Sequence, residues 1–129
     1  MDSGELEAEV LSFIFENIDT VPHLEALLLI WQSGSNEWSP DQLASRIYVS
    51  PQRAKSILDD LRKRGFVASS SEEKAVYKFA TEWDAQGRFM PRLADAYRTN
   101  LVRITTMIHS KGSASVREFA RAFQIKKDT

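Results

Sequence analysis

The chain has 129 residues, 43% of them apolar, which suffices for one small domain with a core and appended helices. It has no cysteine, so disulfides, thiolate metal sites and cysteine nucleophiles are excluded. The net charge of −1 hides an asymmetry: residues 1–45 carry nine acidic side chains and no Lys or Arg, whereas residues 46–129 carry all 17 basic ones against the other nine acids. That split predicts one face that seeks an anion and one that avoids it. The plainer alternative is uneven but fully solvated surface charge. No apolar run approaches the roughly 20 residues of a membrane span, and the start Met1-Asp2-Ser3-Gly4-Glu5 is acidic where a secretory signal would be basic. A cytoplasmic protein without membrane contact is expected.

In chain order, residues 5–18 predict a helix. Leu6, Val10 (or Leu11), Phe13, Ile14 and Ile18 form its apolar stripe, and Glu5, Glu7, Glu9 and Glu16 lie on the polar side. Asp19-Thr20-Val21-Pro22 ends it and caps the next. The helix over 22–32 is apolar nearly all round and is expected to be the buried central one. Ser33-Gly34-Ser35-Asn36 reads as a loop, and Glu37-Trp38 as a strand stub.

Two helix starts follow in close succession. Ser39 is an N-cap with Pro40 at the first helical position, and Ser50 and Pro51 repeat the signal. Ile47-Tyr48-Val49 joins the two helices. The second, over 51–64, places Ala54, Ile57, Leu58 and Leu61 on one face. It closes with Arg62-Lys63-Arg64 and Gly65, a cationic last turn and a C′ glycine. Phe66-Val67-Ala68 and Val76-Tyr77-Lys78-Phe79 flank the polar stretch Ser69–Lys74, a hairpin with a loose tip. Thr81 to Gly87 is a junction containing a helical turn.

From Phe89 or Met90 to about His109 the spacing predicts one long helix. Ala94, Tyr97, Leu101, Ile104 and Ile108 recur at 3 and 4, forming a seam for a second subunit or for the chain's own helices at 6–18 and 22–32. Pro91 is tolerated near its start. A capping box at Ser115-Val116-Arg117-Glu118 predicts a last, basic helix with Val116, Phe119, Ala120 and Phe123 on one face.

Catalytic chemistry finds no constellation here. His23 and His109 stand 86 positions apart, and a capping or surface role is expected of each. No phosphate loop, nucleophile elbow, paired zinc ligands or calcium loop appears. Asp59 and Asp60 are adjacent, so on a helix they point about 100° apart and make a poor metal clamp. No enzyme, metal or cofactor is expected.

Nucleic-acid chemistry fits better. From Arg46 to Gly65 there are six cations and two anions. The helix at 51–64 presents Gln52, Arg53, Lys55 and Ser56 away from its apolar face. Arg53 suits a bidentate bond to guanine and Gln52 one to adenine. Ser50, at the helix start, suits a phosphate held through backbone N–H groups, and Lys55 suits a phosphate directly. Arg46 and Lys74 complete the expected DNA-binding set. Asp59 and Asp60, past the helix start, are placed to hold nearby arginines.

The run Ser50 to Val67, with its Leu61-x-x-Arg64-Gly65-Phe66-Val67 ending, resembles the recognition helix and first wing strand of MarR-like winged-helix transcription regulators. Leu43-Ala44-x-x-Ile47 resembles that family's first helix-turn-helix helix, and the similarity covers roughly residues 22–80. It implies a mainly α fold with a small β-hairpin (α+β), a winged helix-turn-helix at 21–81 between an N-terminal helix at 1–20 and C-terminal helices at 82–129. It further implies a homodimer that reads the major groove of double-stranded DNA with the helix at 51–64 and pairs through the outer helices. This sequence departs from the family at the wing. Its tip, Ser69-Ser70-Ser71-Glu72-Glu73-Lys74, offers only Lys74 to DNA, beside two glutamates that repel phosphate. The acidic wing and acidic first third favour the alternative, a winged-helix module that binds a protein partner and not DNA.

Overall fold

A computed structural model describes residues 3–71 and 76–111. Within them the protein is mainly helical with one small antiparallel sheet. The helices are α1 (Ser3–Asn17), α2 (Val21–Gln32), α3 (Pro40–Ile47), α4 (Pro51–Lys63), α5 (Phe89–Thr99) and α6 (Leu101–Ser110); the strands are β1 (Val67–Ser71) and β2 (Val76–Phe79). None of the described helices is long and apolar enough to cross a membrane. Lys74, the glutamates beside it and the helix expected from Ser115 lie outside the described residues.

The core follows the apolar spacing. Val10, Ile14 and Ile18 at the α1 side, Leu24, Ala26, Leu27 and Ile30 of α2, and Ala54, Ile57, Leu58 and Leu61 of α4 are all buried in one cluster. Met90 and Leu93 of α5 and Ile104 and Ile108 of α6 join it. α2 touches α3, α4, β2, α5 and α6, as an all-round apolar helix must.

An aromatic group closes the junction between the hairpin and the outer helices. Trp83, in a 3-10 turn at Thr81–Asp84, lies 4.7 Å from Phe66, 5.6 Å from Phe79 and 5.7 Å from Phe13 between ring centroids. Asp84 then caps α5 from outside it, accepting from the backbone N–H of Phe89 (3.1 Å) and Met90 (3.0 Å).

β1 and β2 pair with Val67 opposite Phe79 and Ser69 opposite Tyr77, with a register shift between Ser69 and Ser71. The stub at Trp38 adds an antiparallel bridge to Tyr77, with N–H···O distances of 2.7 and 2.8 Å. The short Glu37-Trp38 segment therefore ends as a third, one-residue rung.

The expected single helix over 90–109 is corrected: it breaks at Asn100, which has φ −129° and ψ 39°. Asn100 sends its side-chain N–H to the Ala96 carbonyl (3.2 Å), and Thr99 bonds back to the Asp95 carbonyl (2.8 Å). Both residues are poor helix formers that offer the backbone local alternatives. The break splits the seam. Ile104 and Ile108 are in the chain's own core, Ala94 and Tyr97 are half-buried, and Leu101 is left 49% exposed.

Candidate nucleic-acid interface

α3 starts where Ser39 and Gln42 cap each other: the Gln42 N–H donates to Ser39 Oγ (3.2 Å) and the Ser39 N–H to Gln42 Oε1 (3.0 Å). α4 starts at Ser50, whose Oγ accepts from the Arg53 N–H at 3.1 Å. α4 stops in a Schellman geometry. Gly65, at φ 85°, donates to the Arg62 carbonyl (2.9 Å), and Phe66 donates to the Leu61 carbonyl (2.9 Å).

Between the two helices lies a conformation the sequence pattern did not reveal. Tyr48 has φ 60° and ψ 48°, the only positive φ outside glycine among the described residues. It does the work a C′ glycine usually does, and with Val49 it donates back to the Ala44 carbonyl. Its side chain is 92% exposed. The connector Tyr48-Val49-Ser50 between the two capped helices offers no Gly or Asn for a left-handed position, so Tyr48 takes it.

Of the seven residues expected to touch DNA, Lys74 lies outside the described residues; the other six, Arg46, Ser50, Gln52, Arg53, Lys55 and Ser56, are all exposed. They occupy the end of α3, the connection and the first half of α4. Several are held in place. The Arg46 guanidinium sits 5.6 Å from the Trp38 ring centroid, and Trp38 is itself fixed by Nε1–H donating to Ser33 Oγ at 2.8 Å. Arg53 donates to Thr20 Oγ1 at 3.3 Å. Lys55 pairs with Asp59 at 3.2 Å, an exposed i,i+4 pair, screened by water, that a phosphate can displace. Gln52 and Ser56 share the outward face without such ties.

Contrary to expectation, neither aspartate forms an ion pair with an arginine among the described residues, although the charge of Arg62 acts on Asp59. Asp59 accepts from the buried Tyr77 hydroxyl at 2.9 Å as well as from Lys55, fastening α4 to β2. Partial burial alone would push the Asp59 carboxyl up, but the hydrogen bonds from Tyr77 and Lys55 prevail and hold it below the usual range. The same bond to Asp59 raises Lys55. Burial, then Asp59, raises Tyr77.

Asp60 instead accepts from His23 Nε2 at 2.9 Å. His23 is 4% exposed, the only buried polar or charged residue described, so the surface role is corrected, while its N–H and ring both meet the N-cap hydroxyl of Thr20. It lies on the inner side of the first turn of α2, facing α4, because the apolar positions of that turn place it there. Its Nδ1 meets Thr20 Oγ1 at 2.6 Å. An ionised carboxylate only accepts, so Nε2 carries the hydrogen in the neutral ring and the Thr20 hydroxyl donates to Nδ1. His109, by contrast, is exposed.

No protein-family model matches this chain, and no curated protein matches it.

Proposed function

We propose that this protein is a winged-helix, DNA-binding transcriptional regulator of the MarR-like kind, without enzymatic activity. In this reading α3 and α4 form the helix-turn-helix, α4 enters the major groove, and the hairpin is the wing. The observation that carries it is the exposed cationic and amide-bearing start of α4, presented by a helix whose opposite face is wholly buried. Phosphate contacts would come from Arg46, Lys55 and the N–H groups at Ser50, and base contacts from Gln52, Arg53 and Ser56. Double-stranded DNA is the partner. A homodimer would use the face of α6 that the core leaves free, where Leu101 and Val102 are 49% and 77% exposed. Ile104 and Ile108 are already spent within the protomer.

Titration of duplex DNA of random sequence at rising salt tests the reading. Binding should weaken linearly on a log–log scale, with a slope of about −0.9 for each phosphate neutralised. Absence of binding at low salt would remove the DNA reading and leave the protein-binding module.

Tyr48 belongs to the same surface. The fold gains nothing from an exposed ring, and a left-handed tyrosine costs roughly 1 kcal/mol against glycine. Tyr48→Gly is therefore expected to raise the melting temperature by a few degrees while weakening duplex binding. A variant that binds unchanged would take Tyr48 out of the interface.

A further inference from the structure

Asp19, His23 and Asp60 come from three separate parts of the chain: the α1–α2 connection, the first turn of α2 and the second half of α4. One ligand atom from each lies within 4.8 Å of the other two. No sequence motif marks them, because the fold and not the spacing brings them together. His23 is buried, while Asp19 and Asp60 reach solvent with side chains 55% and 38% exposed. The trio therefore has a fixed inner ligand and an open outer side.

We propose that these three residues form a binding site for a single divalent transition-metal ion of the zinc class. The imidazole selects this class over calcium or magnesium, which prefer oxygen alone. Two carboxylates supply the charge that balances the ion, and water takes the fourth, open position. Nε2 and Asp60 Oδ2 are 2.9 Å apart. Two ligands about 2.0–2.1 Å from a tetrahedral ion lie only a few tenths of an ångström farther apart than that. The ion would replace the Nε2 hydrogen, standing about 2.0 Å from the ring nitrogen and to one side of the Nε2–Oδ2 line. The ring moves its hydrogen to Nδ1, which then donates to Thr20 Oγ1; since that oxygen also accepts from the His23 N–H, the Arg53 bond is released and the Thr20 hydroxyl hydrogen turns to solvent. The neutral ring keeps one hydrogen throughout. Metal-binding histidines are oriented in this way, by a bond at the other ring nitrogen.

Three cations oppose the ion: Arg64, Arg53 and Lys111, whose ammonium bonds the Ile18 carbonyl beside Asp19. Arg64 lies 3.8 Å from Asp19 Oδ2, a long and partly exposed pair, and retains the Asn17 side chain and the Glu16 carbonyl as partners when the ion displaces it. Arg53 reaches Thr20, on the far side of the ring from Asp60. Their field lowers the affinity. A bound ion would lock the end of α1 and the start of α2 to α4.

The test uses the full chain with Zn²⁺ or Co²⁺ alone. One equivalent of Zn²⁺ should raise the melting temperature by several degrees. Co²⁺ should give the intense visible absorption of a tetrahedral site, and the ring nitrogen resonances of His23 should report the hydrogen moving to Nδ1. Asp19→Asn sits at the surface, and Asp60→Asn still accepts from Nε2–H, so both variants should fold. Each should bind at least about tenfold more weakly. Absence of binding at micromolar metal, or binding unchanged in both variants, would overturn the site and leave His23 and Asp60 as a hydrogen-bonded tie.

Discussion

Reversing Arg53 and Lys55 together to glutamate is expected to lower affinity for duplex DNA at least about a hundredfold at 0.1 M salt. Truncating a base-reading arginine alone costs about 1–3 kcal/mol, and a phosphate-binding lysine takes about one unit from the salt slope. Reversal adds repulsion from the phosphates to both losses. The fold should hardly notice. Both side chains are exposed, and what they give up is one surface pair with Asp59 and one hydrogen bond to Thr20. Such exposed contacts are screened by water and contribute little to stability. Fluorescence anisotropy with a labelled duplex measures the affinity, and a thermal melt confirms the fold. A folded double variant that binds as tightly as the parent would rule α4 out as the DNA surface and favour the protein-partner reading.

Leu61→Ala is expected to cost roughly 2–5 kcal/mol. Leu61 is 0% exposed, and it sits where α4 turns into the hairpin, its carbonyl closing the Schellman geometry at Phe66. Truncation leaves a void that the backbone cannot easily collapse around, because α2 and β1 hold α4 from two sides. Against a total stability of roughly 5–15 kcal/mol this is a large share, and the melting temperature should fall by about 10 °C or more. Below the new midpoint, duplex affinity should be unchanged, since Leu61 faces the interior. Circular dichroism on heating reads the first effect and anisotropy in the cold reads the second. A melting temperature within about 2 °C of the parent would mean that the α4–core contact carries less of the fold than its burial implies.

Much of the architecture is written in local signals. Ser39-Pro40 and Ser50-Pro51 set two helix starts, Gly65 sets a stop, and the residues at 54, 57, 58 and 61 choose the buried face of α4. These features work within a few residues of themselves, so backbone hydrogen bonding and the 3.6-residue period suffice to read them. The exposed set Arg46, Ser50, Gln52, Arg53, Lys55 and Ser56 follows from the same period, because the face opposite the apolar one must meet water.

Other features depend on which distant groups meet. The 3-and-4 spacing ran on through Asn100, but Thr99 and Asn100 found hydrogen bonds that end α5, and the seam then divided between core and surface. Periodicity reports which residues are apolar; it does not report which apolar surface lies opposite. Asp59 and Asp60 looked alike as neighbours in sequence. One turned to Tyr77 of β2 and the other to His23 of α2, since adjacent positions on a helix point about 100° apart. The sequence by itself determined the starts of α3 and α4, the glycine stop of α4 and its exposed cationic start. Only the tertiary structure decided that His23 would be buried against Asp60 and Asp19, because that meeting requires α2 and α4 to pack first.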